Sequence, residues 1–572
     1  MKKELIEFIR GNKLSPFNSS KTIIKASSDT IFKTKDAKAV YTKVLSQISS
    51  NFIFPDTSNL FKSFNFTQEP IIIKNRQEFF KTISKNLENE FLKDIKKPRP
   101  FWKPKYGIVV VTNDEKTFVQ LQELECPVQF ISNQDDLQGL ENYDIVQVVD
   151  CEDFSRALES LPQSVFLDSI DEIYLERYLT ILSGWKSNLE ILEKIDNEEI
   201  KKEISELNNL TKFLDDKHFE KLTREQVDKK LVEINDIISS EMKKMTVSGD
   251  SLFSMLSKGN IPKEMQDLIE NTISKSGIPE HLFQVKVPVE IDEAELEKLL
   301  KKQDSEEFTS IAEEVKKYSE QLRKVPERLD KISELMIYYD FTAGISKFTN
   351  NFNEFPEISE ELFFDNAKNV FLEGEVQPIS FHLNDKHKCS ILTGANSGGK
   401  TTLIEHVLQL ITLFQLGFPV DGKVNMPFFT DIYYFAKNKG ASNKGAFENL
   451  LTQMASIKPG QKTLILADEI ESVTEPGVAG KIIAATSEYF IKQSCFLIVA
   501  THLGQEIQKF LPDYCRIDGI EAKGLDEKFE LIVDHNPVLG KLANSTPELI
   551  VEKLASSKKQ EYFKFLNDML KK

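Results

Sequence analysis

Cysteine is scarce in this chain: there are five in 572 residues, and they lie far apart. No two of them form a C-x-x-C pair, so the sequence predicts neither a zinc site nor a disulfide framework. Long apolar runs are missing as well, and residues 1–7 include acidic side chains where a signal peptide would have its apolar segment. These absences predict a cytoplasmic protein that does not enter a membrane.

Positive charge is in deficit, since 73 Lys and Arg residues face 90 Asp and Glu residues and the net charge is -17. Such a chain repels nucleic acid at long range, so any binding of nucleic acid depends on a local basic face. One candidate is the Lys-rich segment 96–105, in which Phe101 and Trp102 interrupt the charges. A solvated linker is the alternative interpretation, because the prolines of this segment break any helix or strand.

Alternating strands and helices predict a small parallel α/β module in residues 101–155. Apolar runs at 108–111, 128–131 and 145–149 are typical of buried strands, and a helical pattern covers 115–124. The module has no glycine-rich fingerprint for a nucleotide. We therefore expect its role to be structural.

Helical spacing dominates residues 156–345, where apolar side chains recur every three or four positions on strongly charged segments. A seam with heptad spacing consists of Phe308, Ile311, Val315, Tyr318, Leu322 and Val325. Residues 283–289 alternate like a strand inside a region rich in turn residues, near 250–290. We expect two long helical arms joined by a small tip; a compact helical domain without arms is the alternative.

A glycine-rich turn between an apolar strand and a helix is the clearest chemical motif. The segment from Gly394 to Thr401 matches G-x-x-x-x-G-K-[ST], the phosphate loop whose backbone N–H groups and helix N-terminus bind a polyphosphate. In such a loop Lys400 neutralises β- and γ-phosphate oxygens, and the Thr401 hydroxyl binds Mg²⁺. The sequence therefore predicts an ATP and Mg²⁺ site formed by Gly394, Ala395, Asn396, Ser397, Gly398, Gly399, Lys400, Thr401 and Thr402.

Two further strands place polar side chains at their carboxyl ends. The apolar strand 463–467 is followed by Asp468 and Glu469, and the strand 496–501 is followed by His502. In phosphate-loop ATPases the first acid holds Mg²⁺ through its water shell, and the second orients and deprotonates the attacking water. We assign these roles to Asp468 and Glu469. We expect His502 to contact the γ-phosphate or the attacking water.

Three segments together resemble the ATPase domain of MutS proteins: residues 393–402, 467–470 and 500–502. Asn396 in the loop and the Ala-Thr-His strand end separate the chain from transporters and RecA-like ATPases. The tail 536–550 is similar to the archaeal second-paralogue branch of the family rather than to mismatch-repair MutS proper. The resemblance implies an α/β ATPase of MutS/ABC type beside all-α arms.

Five parts are predicted along the chain once this resemblance is taken into account. They are an N-terminal helical region of unknown role (1–100), a connector-like α/β module (101–155), a helical lever and clamp (156–345), the phosphate-loop ATPase (346–545) and a helical tail (546–572).

The resemblance also implies a head-to-tail homodimer, in which a signature segment of one subunit reaches the γ-phosphate bound by the other. The matching residues here are Gly445, Ala446 and Phe447. Gly445 and Ala446 stand where two hydroxyl residues are usual, so the contact would come from backbone N–H groups at the start of a helix. A second departure from the family is Lys368-Asn369-Val370, where Arg-His-Pro usually precedes the adenine pocket.

Mismatch-reading members of the family carry a Phe-x-Glu wedge near the N-terminus, and no Phe in residues 1–100 is followed by Glu two places later. Residues 551–572 predict one amphipathic helix, so no nuclease activity is expected. We expect an ATPase that binds double-stranded DNA non-specifically or by its structure, in repair or recombination. An ATPase that acts on stalled ribosomes, through ribosome or RNA contacts, is the first alternative. Initiation of mismatch repair is the second.

Overall fold

The residues described in this computed structural model are 1–18, 31–64, 66–99, 107–123, 126–161, 163–173, 175–213, 222–245, 261–352, 354–394, 398–437, 444–469, 476–525, 531–543, 546–558 and 560–570. They divide into two compact units, one made of Met1–Ile95 with Ser333–Lys572 and the other of Lys96–Ile332. Among these residues, no helix has both the length and the apolar character that crossing a bilayer requires.

The N-terminal part of the first unit is helical. Its described residues form α1 (Lys2–Gly11), α2 (Lys35–Ser49), α3 (Pro55–Lys62) and α4 (Pro70–Thr82). Helix α2 begins after Thr34, whose hydroxyl oxygen accepts a hydrogen bond from the Ala37 N–H at 3.4 Å. Val40, Val44 and Ile48 repeat every four residues and are buried, so α2 presents one apolar stripe to its neighbours.

The second unit combines a small sheet with charged helices. Its strands are β1 (Ile108–Thr112), β2 (Val128–Phe130), β3 (Ile145–Val148), β4 (Ser164–Phe166), β5 (Phe283–Gln284) and β6 (Glu290–Ile291). Its helices are α5 (Glu115–Glu123), α6 (Ser155–Glu159), α7 (Leu175–Leu192), α8 (Glu198–Thr211), α9 (Arg224–Met242), α10 (Lys263–Ser274), α11 (Glu293–Lys316) and α12 (Ser319–Arg323). Strands β1 to β4 are parallel in the order β2-β1-β3-β4. Strand β4 begins at Ser164, so the sheet extends beyond residue 155, where the sequence predicts that this module ends.

Two local predictions for the helical region are wrong. The strand expected over 283–289 is reduced to the two-residue β5, which pairs with β6 in antiparallel fashion, because the chain turns back over residues 285–289. The heptad seam required one continuous helix through residues 308–325, but the chain forms α11, α12 and then α13 (Val325–Phe348). The side chains of residues 308–315 lie outside the described set, and the paired arms stay a prediction.

The remainder of the first unit is a mixed α/β structure, which confirms the predicted class. Its strands are β7 (Glu357–Ile358), β8 (Leu362–Ala367), β9 (Ile379–Leu383), β10 (Cys389–Gly394), β11 (Lys423–Met426), β12 (Asp431–Phe435), β13 (Thr463–Asp468), β14 (Phe496–Ala500), β15 (Cys515–Leu525) and β16 (Leu531–Leu539). Its helices are α14 (Lys400–Leu416), α15 (Lys444–Ala455), α16 (Pro476–Lys492), α17 (Gly504–Gln508), α18 (Thr546–Ser557) and α19 (Glu561–Leu570).

The main sheet has the strand order β12-β13-β14-β10-β15-β16. Every neighbouring pair is parallel except β15 with β16. Strands β13 and β14 are buried along their whole length, as central parallel strands covered on both faces should be. Helix α14 is also buried on nearly all sides and contacts α2, α4 and three strands of this sheet. This buried centre holds the residues that sequence patterns single out.

Candidate functional site

Three parallel strands end at one edge of the main sheet. Strand β10 ends at Gly394, β13 at Asp468 and β14 at Ala500, and β14 lies between the other two. The carboxyl ends of parallel strands are where ligands bind in open α/β sheets. The structure therefore brings the glycine-rich loop, the acidic pair and His502 to one place, although the chain separates them widely.

The glycine-rich loop depends on backbone conformations that only glycine adopts easily. Gly394 has a φ of +136°, and a Cβ there would lie 2.5 Å from the Ile520 carbonyl oxygen. Gly399 has a φ of +93° and precedes the first residue of α14, so the loop turns directly into a helix N-terminus. Of the predicted phosphate-binding residues, Gly398 to Thr402 and Gly394 are described, whereas Ala395, Asn396 and Ser397 lie outside the described residues.

Lys400 folds back over this loop. Its side chain is only 3% exposed, and its Nζ donates a hydrogen bond to the Gly394 carbonyl oxygen at 2.9 Å. A buried ammonium group needs a partner of opposite polarity. The Gly394 carbonyl oxygen is one such partner.

Thr401 and Asp468 form the part of the site suited to a cation. The Thr401 hydroxyl donates to the Asp468 Oδ2 atom at 2.5 Å. Burial raises the pKa of Asp468, and this hydrogen bond partly opposes the rise. The second oxygen, Oδ1, is buried and has no hydrogen-bond partner among the residues that the structure describes. A hydroxyl beside a free carboxylate oxygen fits Mg²⁺, which takes oxygen ligands and keeps several waters.

No group of three or more His, Cys, Asp or Glu side chains in the described part of the chain is arranged to hold a metal. A group of three or more such side chains is typical of sites in which the protein supplies all the ligands of the ion. Mg²⁺ in nucleotide sites is held instead through one or two protein oxygens together with substrate phosphates. Thr401 and Asp468 supply two protein oxygens of that kind.

Glu469 is held by contacts on both of its carboxylate oxygens. Its backbone has a φ of +46°, and its N–H donates to the Ala500 carbonyl oxygen at 2.9 Å. The Oε1 atom lies 2.6 Å from the His502 Nε2 atom, and the Oε2 atom forms an ion pair with Lys437. The left-handed backbone costs about 1 kcal/mol or more, and it aims the side chain between these two partners.

Electrostatics keep the Glu469 carboxylate ionised. Burial alone would raise its pKa, but the hydrogen bonds from Lys437 and His502 outweigh burial and lower the pKa below its usual value. An ionised carboxylate fixed on both oxygens is oriented to accept a proton from a water molecule placed beside it. The structure thus holds Glu469 ionised and fixed at the strand end, and its role as the general base stays a prediction.

Two residues at this site have no signal in a linear motif. Lys437 follows the end of β12, the strand beside β13, and so reaches Glu469. His535 lies on β16, and its Nδ1 atom is 3.0 Å from the Gly398 carbonyl oxygen. A Cβ on Gly399 would lie 2.9 Å from the same Nδ1 atom, so the imidazole borders the glycine-rich loop.

The signature residues Gly445, Ala446 and Phe447 belong to the start of α15, but their side chains lie outside the described set. Their contact with a second subunit stays a prediction. Asn369, in the segment that departs from the family, is 6% exposed and its Oδ1 atom accepts a hydrogen bond from Gln409 Nε2 at 2.9 Å. Gln409 is a residue of α14, so this segment is fixed against the helix that follows the loop.

Comparison with known proteins gives a match over nearly the whole chain. The sequence is 31% identical over 586 aligned residues to the DNA-binding protein MutS2 of Pyrococcus furiosus. This alignment covers 94% of this chain and 99% of that protein. The sequence is 28% identical to the endonuclease MutS2 of Aquifex aeolicus over 26% of this chain and 20% of that protein. It is 29% identical to the DNA mismatch repair protein MutS of Thermotoga maritima over 25% of this chain and 18% of that protein. No family model matches the chain.

Proposed function

The chain belongs to the MutS family as a MutS2-type protein, and from this premise we propose that it is a DNA-binding ATPase. The observation that carries the ATPase proposal is the convergence of Lys400, Thr401, Asp468 and Glu469 at one sheet edge. This edge offers a cradle for phosphates, oxygen ligands for a cation and a general base.

In the proposed reaction each side chain has one task. Lys400 and the N–H groups at the start of α14 bind the β- and γ-phosphate oxygens of ATP. Thr401 and Asp468 hold Mg²⁺, which when bound neutralises charge on the phosphates. Glu469 accepts the proton of the attacking water, while His502 and Lys437 keep its carboxylate in place. The products are ADP and inorganic phosphate.

DNA is the proposed macromolecular partner, because the relative that matches over nearly the full length is named a DNA-binding protein. The net charge of -17 means that binding relies on local basic surfaces and on the sugar-phosphate backbone. We expect double-stranded DNA to be bound non-specifically or by its structure, in repair or recombination, by a homodimer whose helical arms respond to ATP.

Binding to labelled duplexes tests the DNA proposal. Fluorescence anisotropy with a fully paired duplex and with a single-mismatch duplex should give affinities within about twofold, and both should fall steeply as salt rises. A mismatch preference of about tenfold or more would replace this proposal with mismatch recognition. Absence of DNA binding together with ATP-dependent cosedimentation with ribosomes would replace it with a ribosomal role.

We propose that ATP hydrolysis occurs without cleavage of DNA. The relatives named endonucleases share only about a quarter of this chain, as with the 26% matched by the Aquifex aeolicus protein, so that name does not extend to the whole chain. Incubation of supercoiled plasmid with the protein and Mg²⁺ or Mn²⁺ should leave it intact. Nicked or linear products at catalytic protein concentrations would contradict this part of the proposal.

A further inference from the structure

The chain before α2 extends the main sheet past its edge strand. The Lys33 N–H donates to the Ile432 carbonyl oxygen at 2.9 Å, and the Ile432 N–H donates to the Ile31 carbonyl oxygen at 2.9 Å. Phe32 therefore forms a parallel bridge with Ile432. Residues 31–33 cover the N–H and C=O groups that an edge strand otherwise leaves unpaired.

The two residues at the start of α2 continue along β12 toward the site. The Thr34 hydroxyl donates to the Tyr434 carbonyl oxygen at 2.7 Å and accepts from the Tyr434 N–H at 3.0 Å. The Asp36 Oδ2 atom accepts a hydrogen bond from the Ala436 N–H at 3.0 Å. Hydrogen bonds to a carboxylate are stronger than those between neutral groups, so Asp36 fixes the chain at Ala436.

Ala436 directly precedes Lys437, whose ammonium group pairs with Glu469. The backbone that carries Lys437 is thus tied down one residue earlier by a side chain of the N-terminal region. In the described part of the chain β12 ends at Phe435, so no sheet hydrogen bond fixes Ala436 in place of Asp36.

Helix α2 also contacts the other half of the site. It packs against α14, the helix that begins with Lys400 and Thr401. One helix therefore touches both the phosphate-binding helix and the strand end that supports the general base. Movement of either relative to the other would have to displace α2.

We propose that α2 supports the ATP-hydrolysing site, and that Asp36 is a positioning residue that holds the Lys437 side chain next to Glu469. This assigns a role to the N-terminal region, and it rests on the proposed ATPase function. Asp36 touches neither substrate nor cation in this role. It acts through the backbone of Ala436 and the side chain of Lys437.

Three full-length variants test the proposal by separating nucleotide affinity from turnover. Asp36→Ala removes the acceptor, Asp36→Asn keeps an oxygen acceptor but removes the charge, and Thr42→Ala removes a hydrogen bond on the exposed face of the same helix, to Lys38, at 2.8 Å. Asp36→Ala should lower kcat by about tenfold, since misplacing a catalytic group slows turnover strongly. The Kd of a fluorescent ATP analogue should stay within about twofold. Asp36→Asn should recover most of the activity, and Thr42→Ala should match the wild type.

A double-mutant cycle with Lys437→Met guards against a general folding defect. If Asp36 acts through Lys437, the double variant should be about as slow as the slower single variant, because the two effects share one pathway. Additive losses, or wild-type kcat in Asp36→Ala, would overturn the inference while leaving the ATPase proposal intact. A wild-type protein without ATPase activity would overturn both.

Discussion

The Thr401 hydroxyl lies 2.5 Å from the Asp468 carboxylate, and this contact joins the helix after the glycine-rich loop to the end of β13, next to the proposed general base Glu469. The hydroxyl contacts one carboxylate oxygen, Oδ2. The other oxygen, Oδ1, has no hydrogen-bond partner among the described residues. Mg²⁺ binding would use the Thr401 hydroxyl and the Asp468 carboxylate. Substitution of Thr401 should therefore change how hydrolysis depends on Mg²⁺.

Removal of the Thr401 hydroxyl should greatly reduce Mg²⁺-dependent turnover. Thr401→Val keeps the shape of the side chain but has no oxygen ligand, so we expect ATP hydrolysis to fall by about 100-fold or more. Thr401→Ser keeps the hydroxyl and should retain activity within about fivefold. Titration of Mg²⁺ against phosphate release measures both, and equal activity of the Val and Ser variants would contradict the assignment.

Lys400→Ala should weaken ATP binding by about tenfold or more, because a charge-assisted contact with the phosphates is lost. Equilibrium binding of a fluorescent ATP analogue is the measurement. Lys492→Ala is the matched control, since Lys492 is exposed and pairs with Glu488 in the described structure. Unchanged affinity in Lys400→Ala, with correct folding verified by circular dichroism, would contradict the proposal that this loop binds the phosphates of ATP.

Asp340 should be important for stability, because it accepts several hydrogen bonds inside the first unit. Its carboxylate receives the Phe54 N–H at 3.0 Å, the Thr57 hydroxyl at 2.7 Å and the Asn89 side-chain amide at 2.8 Å. Asp340→Ala leaves these buried donors unpaired and should cost roughly 3 kcal/mol or more. Glu327→Ala, at an exposed position of the same helix, should change the free energy of unfolding by less than about 0.5 kcal/mol. Urea titration of both variants measures these changes in the free energy of unfolding. Equal changes in the two variants would contradict the argument from burial.

His406 should make stability depend on acid. It lies on α14, and burial lowers its pKa from 6.5 to about 4. The folded protein holds this imidazole neutral, so its contribution is complete above about pH 6.5 and is lost as the pH falls toward about 4. The loss should approach about 1.4 kcal/mol per pH unit within that window. His406→Leu should flatten the wild-type dependence in urea titrations across this range, and an unchanged slope would show that another group is responsible.

Contiguous motifs were enough to predict which residues meet at the carboxyl edge of the main sheet, whereas their roles stay predictions. The loop residues from Gly398 to Thr402, the acidic pair and His502 each follow a strongly apolar strand, and strands of that kind are buried in parallel sheets. The direction of the strands then brings their carboxyl ends together. Family membership, predicted from the same segments, is confirmed by the relative that matches 94% of the chain.

The rest of the site depends on which strands become neighbours, and periodicity does not encode that order. Lys437 reaches Glu469 because β12 lies beside β13, and His535 reaches the loop because β16 folds back along β15. The contact between Asp36 and Ala436 joins residues four hundred positions apart. The heptad seam was misleading for the opposite reason, since its spacing continues across the breaks between α11, α12 and α13.

Turnover by Glu469→Gln tests the central claim most directly. The substitution keeps the size of the side chain and a hydrogen-bonding partner for His502, but it removes the proton acceptor. We predict ATP binding within about twofold of the wild type and hydrolysis reduced by about 100-fold or more, in single-turnover assays with Mg²⁺. Wild-type rates in Glu469→Gln would show that the chemistry of this protein does not occur at the edge of the sheet where these residues meet.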